Sequence, residues 1–315
     1  MDKQQQKLDQ AARAAWLYYV GGLTQDEIAA RLRVSRPGAQ RLVALAREEG
    51  LVKVRIDHPV ARCMVLADQL HQRFKLSFCD VVPTDQTPEV TERHIAVAGA
   101  ACLEDYVARE PAAVLALGTG RTLRSAVEAM SRLNQPQHRF VSLVGNMARD
   151  GSTNPFDAVV LLADKTGGQR FLLPAPPVAD TVAEREQLLH QRLYQAVRQV
   201  ANSAEAAFIG IGVMGRQAPI FQDGFITAAD MAELQRQGAV GELVGWPLDR
   251  QGRLVTSSVT DRVTSVPLPN PPSRPLIAMA GGRAKAEAIA AALLGGWLTG
   301  LVTDEATAQQ VLDRT

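Results

Sequence analysis

At 315 residues, 46% hydrophobic and 21% charged, the chain has the make-up of an ordinary globular protein with room for about two domains. A net charge of +1 excludes a protein that coats nucleic acid by bulk charge. Cys63, Cys79 and Cys102 lack C-x-x-C spacing, which argues against a disulfide framework or a cysteine zinc site and points to a reducing cytoplasm.

The N-terminal stretch MDKQQQKLDQ is polar and carries no apolar signal region. Residues 8–20 predict a helix with Trp16, Leu17 and Val20 turned inward onto the two helices that follow. Those two are written in residues 23–51, LTQDEIAARLRVSRPGAQRLVALAREEGL. Thr24 and Glu27 have capping-box spacing. Ile28 and Leu32 share a face, Ala29 allows close approach, and Val34 fills the turn. Ser35 suits the cap of the next helix, and Pro37 is tolerated because it falls in that helix's first turn. Ala39, Leu42 and Leu45 supply the inward face, leaving Arg36, Gln40 and Arg41 outside. The pattern predicts a helix-turn-helix whose second helix enters a DNA groove; the alternative is an ordinary helical hairpin with a solvated basic face. Ser35, Arg36, Gln40 and Arg41 are placed for bases, and Arg31 and Arg47 for phosphates. Arg33 stands where such turns usually carry glycine, so it must be left-handed or reshape the turn. The charge is local: residues 1–60 are net +3 and the remainder net −2.

Residues 51–56, LVKVRI, alternate like a short strand, either a wing or a linker. This sets the domains at 1–57, an all-α, winged-helix-like DNA-binding module, and 58–315. Residues 61–76 form a connecting helix. Beyond it strands and helices alternate. Strands are expected at 77–83, 112–120, 140–146, 170–176, 206–212, 276–282 and from 301. Helices are expected at 89–109, 121–130, 179–202, 228–237 and 283–294, and after the last strand. Apolar strands alternating with helices predict an α/β fold with a mostly parallel sheet covered on both faces. Residues 244–275, proline-rich near their end, read as an irregular inserted lobe or loop. The longest apolar run, 288–302, is too short for a membrane span and is broken by Gly295-Gly296.

Two strand-turn-helix junctions carry chemistry: Leu117-Gly118-Thr119-Gly120-Arg121-Thr122 and Ala280-Gly281-Gly282-Arg283-Ala284-Lys285. Glycines let a ligand approach the backbone, and a helix start offers free N–H groups and a positive dipole end, a combination that binds phosphate. Thr119 and Thr122 add hydroxyls and Lys285 a charge. Both turns lie at the carboxyl ends of parallel strands, where ligands bind in open sheets, so they can share a pocket. The same glycines also serve plain tight turns. Gly210-Ile-Gly212-Val-Met-Gly215 spells a dinucleotide motif, but no helix opens after it, so no nicotinamide cofactor is expected. Asp223 and Glu242 either accept hydrogen bonds from sugar hydroxyls or are solvated loop carboxylates. The histidines are scattered, and no metal is expected.

The whole pattern resembles the SorC family of bacterial sugar-responsive transcription regulators. The resemblance rests on WLYYVGGLTQDEIAARL leading into the helix-turn-helix, LGTGRTL (117–123), DGFIT (223–227), GAVGEL (238–243), and AGGRAKAEAIAAAL followed by LVTDEATA. It implies a Rossmann-like effector domain similar to sugar-phosphate isomerases and CoA transferases. It also implies operator DNA as partner, a sugar, sugar-alcohol or sugar-phosphate effector, and a homo-oligomer, dimer or tetramer. The effector's phosphate would meet Gly118, Thr119, Gly120, Thr122 and Lys285, with Asp223 and Glu242 on hydroxyls. Arg33 and Gly38 depart from the family pattern. A regulator without catalytic residues is the expectation. An isomerase or transferase with an appended helical module is the alternative, although no nucleophile–base pair has a recognisable spacing.

Overall fold

Small side chains make the inward face of the first helix. α1 (Lys3–Tyr19) buries Ala11, Ala14, Ala15 and Leu17, whereas Trp16 is 59% and Val20 69% exposed. The inward placement of Trp16 and Val20 is thereby corrected. α2 (Gln25–Leu32) and α3 (Arg36–Glu48) pack against α1 through alanines, which permit a closer approach than an indole would. α2 opens with its capping box: Glu27 N–H donates to Thr24 Oγ1 at 3.4 Å and Thr24 N–H to Glu27 Oε2 at 2.7 Å. Arg33 ends α2 in the left-handed conformation (φ 56°, ψ 45°), its N–H donating to the carbonyls of Ala29 and Ala30. Ser35 Oγ then accepts from Gly38 N–H at 3.2 Å and starts α3. Ala39, Val43 and Ala46 are the buried residues of α3, with Leu42 and Leu45 half-buried beside them.

These helices lie in one of two units, Met1–His58; the other is Pro59–Thr315. The structure, a computed structural model, describes residues 3–49, 51–52, 59–145, 147 and 157–315. Most of the expected strand at 51–56 and the last residue of the strand at 140–146 lie outside the described residues.

In the second unit α4 (Pro59–Phe74) precedes β1 (Phe78–Val82), α5 (Pro88–Val107), β2 (Val114–Leu117), α6 (Arg121–Ala129) and β3 (Arg139–Gly145). Next come α7 (Ala158–Thr166), β4 (Gln169–Leu173), α8 (Val182–His190), α9 (Arg192–Asn202), β5 (Ala206–Ile209), β6 (Gly212–Val213) and α10 (Pro219–Gln222). α11 (Ala228–Arg236), β7 (Ala239–Leu243), β8 (Trp246–Asp249), β9 (Leu276–Met279), α12 (Ala286–Leu294), β10 (Gly300–Asp304) and α13 (Glu305–Arg314) complete the order.

The main sheet runs β1-β10-β9-β5-β2-β3-β4, and every pairing is parallel. Alternate residues of each strand enter opposite cores. Leu115, Leu117, Phe208 and Met279 pack under α5, α6 and α7, while Val114, Ala116, Ile209 and Ala278 pack under α4, α9, α12 and α13. Both faces are thus covered by helices, which is why the strands read as continuous apolar runs. From β2 the chain winds outward to β3 and β4, then returns through β5 to the other side of β2. Neighbouring crossovers diverge there and leave a crevice at the strands' carboxyl ends.

Three features differ from the expectations. The helix expected at 179–202 is two helices, because Gln191 is extended (φ −63°, ψ 137°). α7 and the antiparallel sheet β6-β7-β8 were not anticipated. The stretch at 244–275 is no bare loop: it contains β8 and a 3-10 turn, and Val255, Val259 and Val263 join a small core with Ile226, Met231 and Leu234.

The left-handed Arg33 costs about 1–2 kcal/mol of backbone strain that glycine avoids. Arg33→Gly is therefore expected to raise the protein's thermal stability by about 1 kcal/mol, after glycine's larger entropy loss is subtracted. A thermal melt followed by helical circular dichroism checks this, and a lower melting temperature would show that the arginine is not strained.

Candidate functional site

The crevice holds a cavity of about 170 Å³. The turn after β2 contributes Thr119, Gly120, Arg121 and Thr122, and the turn after β9 contributes Gly281 and Lys285. The end of β5 adds Gly210, Ile211 and Gly212, the β7–β8 hairpin adds Glu242, Val244 and Gly245, and Asp223 stands at the end of α10. β5 lies between β2 and β9 in the sheet, so the two glycine turns flank it and meet over its end.

Gly120 takes φ 133°, a conformation L side chains rarely adopt, and starts α6 with no side chain over its first amides. That helix start faces the cavity. Lys285 lies close by, ending a 3-10 turn (Arg283–Lys285) rather than riding in the first turn of the long helix. One expected donor is not free there: Gly282 N–H donates to Asp304 Oδ2 and Thr307 Oγ1, each at 2.8 Å.

Glu242 closes one side. Its Oε2 accepts from Gly245 N–H at 2.5 Å, and a side chain at Gly212 would collide with its carboxylate, so only glycine fits in that segment of the G-x-G-x-x-G motif. Burial pushes the Glu242 carboxyl up, opposed by the Gly245 N–H and the Lys285 charge. Burial also pulls the Lys285 ammonium down. Repulsion from Arg121 adds to this, and Glu242 and Glu92 oppose it. Loss of water thus outweighs the attraction between Glu242 and Lys285 in both groups. Among the described residues neither Arg121 nor Lys285 makes an ion pair, and both line this cavity. The opposite wall is apolar: Val144, Pro177, Ile211, Val213, Ile220 and Phe225.

Of the residues singled out in the sequence, Thr119, Gly120, Thr122, Asp223, Glu242 and Lys285 line this one cavity. Gly118 does not; it lies beneath, with Val244 and Ile209 packed against it. Arg121, Glu92, Gln217 and the apolar wall were missed. Arg121 was legible, as the first helical residue after Gly120. Glu92 on α5 carries no local signal.

On the first unit Arg31, Ser35, Arg36, Gln40, Arg41 and Arg47 are all exposed. Arg41 Nε donates to the Pro37 carbonyl at 3.2 Å, which folds its guanidinium back toward the start of α3. Arg36 pairs with Asp26 at 3.6 Å, but both are about two-thirds exposed, so the pair contributes little and yields readily to a phosphate. The Ser35 hydroxyl oxygen already caps Gly38 N–H and keeps its proton and one further lone pair for another partner.

Residues 58–313 match the family model described as "Putative sugar-binding domain", and residues 10–62 match a MarR family model. The erythritol catabolism regulatory protein EryD of Brucella abortus (strain 2308) is 35% identical over 302 residues, 96% of each chain. The chain belongs to the DeoR/SorC family of sugar-responsive transcriptional regulators. The transcriptional regulator LsrR of Klebsiella pneumoniae is 33% identical over 308 residues, 96% of this chain and 92% of its own. The full-length sorbitol operon regulator SorC from Klebsiella pneumoniae shares the fold across 99% of both chains, with a TM-score of 0.73 at 23% identity. These relatives are regulators, and this family member is a regulator rather than an enzyme. No described helix is long and apolar enough to cross a membrane.

The half-buried Glu242 sets a pH-dependent stability difference. Its folded pKa is raised, so its stabilising contribution is present below the ordinary value of 4.5 and lost as pH rises through the raised value. Glu242→Gln keeps an acceptor for Gly245 N–H without the charge. It is expected to melt higher than the parent at neutral pH, the gap closing on acidification toward 4.5. A variant that melts lower at neutral pH would show that the carboxylate is well solvated.

Proposed function

We propose that this regulator controls a carbohydrate catabolic operon, reading operator DNA with α3 and releasing or engaging it when a small phosphorylated sugar or sugar alcohol fills the cavity. The observation that carries the effector's charge is the pair Arg121 and Lys285. Both line one cavity beside the open start of α6, neither in an ion pair among the described residues, and repulsion from Arg121 lowers the Lys285 ammonium against the attraction of Glu242 and Glu92. A phosphate relieves that repulsion and takes the amides of Gly120–Thr122. Glu242 and Asp223 then serve the hydroxyls. The name of EryD, a regulator of erythritol catabolism, favours a short polyol, and the cavity is smaller than the ~300–1,000 Å³ of drug-sized sites. A homo-oligomer, dimer or tetramer, supplies the two α3 helices that a two-fold operator requires. Such a protein works in the cytoplasm.

A second reading keeps the regulator but makes its effector an unphosphorylated polyol. The three carboxylates at the cavity (Glu92, Asp223, Glu242) favour it.

Fluorescence anisotropy of the full chain on DNA upstream of its own operon separates the readings. The compounds are erythritol, erythritol phosphate and their five- and six-carbon counterparts. Selective DNA binding altered by phosphates alone supports the first reading. An equal response to free polyols, retained in Lys285→Ala, supports the second. Arg41→Ala is expected to cost about 1–3 kcal/mol of operator binding and to leave effector binding intact. Unchanged operator affinity would remove Arg41 from the interface. Phosphate-effector affinity is expected to rise as the phosphate gains its second charge near pH ~6, and to fall again as pH climbs through the lowered Lys285 value. A flat profile would exclude Lys285 from the contact.

A further inference from the structure

The turn that carries Lys285 is tied to the far end of the next strand. Asp304 ends β10 and is 1% exposed. Its Oδ2 accepts from Gly282 N–H at 2.8 Å and from the Thr307 hydroxyl at 2.5 Å. Its Oδ1 accepts from the Thr84 hydroxyl at 2.8 Å and from Thr307 N–H at 3.1 Å. Thr84 Oγ1 in turn accepts from Ala306 N–H at 2.8 Å. Hydrogen bonds to an ionised carboxylate are stronger than neutral ones, and this carboxylate also caps α13. The cavity turn and the first turn of α13 are therefore one hydrogen-bonded body. A side chain at Gly281 would strike the same Asp304 carboxylate.

The adjacent residue reaches α4 instead. Glu305 Oε1 meets Arg62 Nε at 3.1 Å, and Arg62 Nη2 donates to Gln309 Oε1 at 3.5 Å, one turn further along α13. Arg62 sits in the first turn of α4, the first helix of the sugar-binding unit. In sequence that helix opens the second unit, immediately after the DNA-binding unit. Two consecutive residues thus hold the effector turn on one hand and the helix leading to the DNA reader on the other.

We propose that Asp304 and Glu305 couple the effector cavity to α4: a ligand that shifts the Gly281–Lys285 turn moves Asp304, and Glu305 passes the shift to Arg62. The inference rests on the cavity being the effector site. Coupling requires that the two placements of this dipeptide bind ligand with different affinity, and it acts equally in both directions.

The test uses the full chain, its operator fragment and erythritol phosphate, and measures operator affinity with and without the compound. Arg62→Gln is expected to keep operator affinity and effector affinity each within about twofold of the parent. The effector's influence on DNA binding should drop about fivefold, the most an exposed ion pair of this kind supplies. The charge-swapped pair Arg62→Glu with Glu305→Arg is expected to restore it, which loss of packing would not allow. A ligand-free arm uses Gly281→Ala, whose added methyl presses on the Asp304 carboxylate and on Ile95 Cδ1 of α5. It should change operator affinity at least about threefold in the parent and less than about twofold in the Arg62→Gln background, a non-additivity expected only of coupled sites. Equal effects in both backgrounds, no effect in either, or an effector response that survives Arg62→Gln unchanged would each overturn the proposal. A parent that ignores erythritol phosphate contradicts the effector reading alone, and the ligand-free arm still decides the coupling.

Discussion

Everything at the candidate effector cavity depends on the parallel sheet being buried on both faces. Residues such as Phe208 and Met279 point into one core and Ile209 and Ala278 into the other, so the strands themselves offer a ligand nothing polar. Chemistry is confined to the rim, and the strand order selects one place on it. Where the crossovers part, between β2 and β5, the rim opens, and three loops from neighbouring strands turn toward the same space. Gly120 exposes the start of α6 there, and the antiparallel β6-β7-β8 lobe leans over it with Glu242. The site's electrostatics follow from its depth. Loss of water shifts Glu242 and Lys285 each toward the uncharged form, and among the described residues they make no ion pair with one another, while Arg121, Glu92 and Asp223 stand exposed at the rim.

The first unit obeys a different constraint. Three short helices have little core to share, so alanines at positions 11, 14, 15, 39 and 46 bring backbones together, and the caps at Thr24 and Ser35 fix where α2 and α3 begin. The turn between them is set by Arg33 in a conformation that glycine adopts more easily. A closely packed small trihelical unit leaves Arg31, Arg36, Arg41 and Arg47 on the outside, clear of the core.

Much of this was legible in the sequence because the signals were local. Caps, glycine turns and the alternation of apolar strands with helices are written within a few residues, so α2, α3, both glycine turns and most of the parallel strands could be placed. The three-residue gap between Thr24 and Glu27 and the order Gly118–Gly120 before a helix need no tertiary knowledge. What escaped depends on distant partners. Trp16 reads as core because indoles usually are, yet its helix packs through alanine. The strand pairing of Gly212 with Glu242 joins residues far apart in the chain, and β7 carries too few β-branched residues to announce itself. The break at Gln191 has neither proline nor glycine to mark it. Glu92 and the apolar wall reach the cavity only through the fold. The loss of the Gly282 amide to Asp304 is likewise a tertiary fact, invisible in the AGGRAK turn itself.

The central claim is that the turns after β2 and β9 form one anion-binding effector cavity. The most direct measurement is a crystal structure of the full chain with erythritol phosphate. The account predicts the phosphate on the amides of Gly120–Thr122, between Arg121 and Lys285, with the hydroxyls directed at Glu242. A phosphate bound elsewhere, or a ligand in this cavity with its charged end away from both cations, would contradict it.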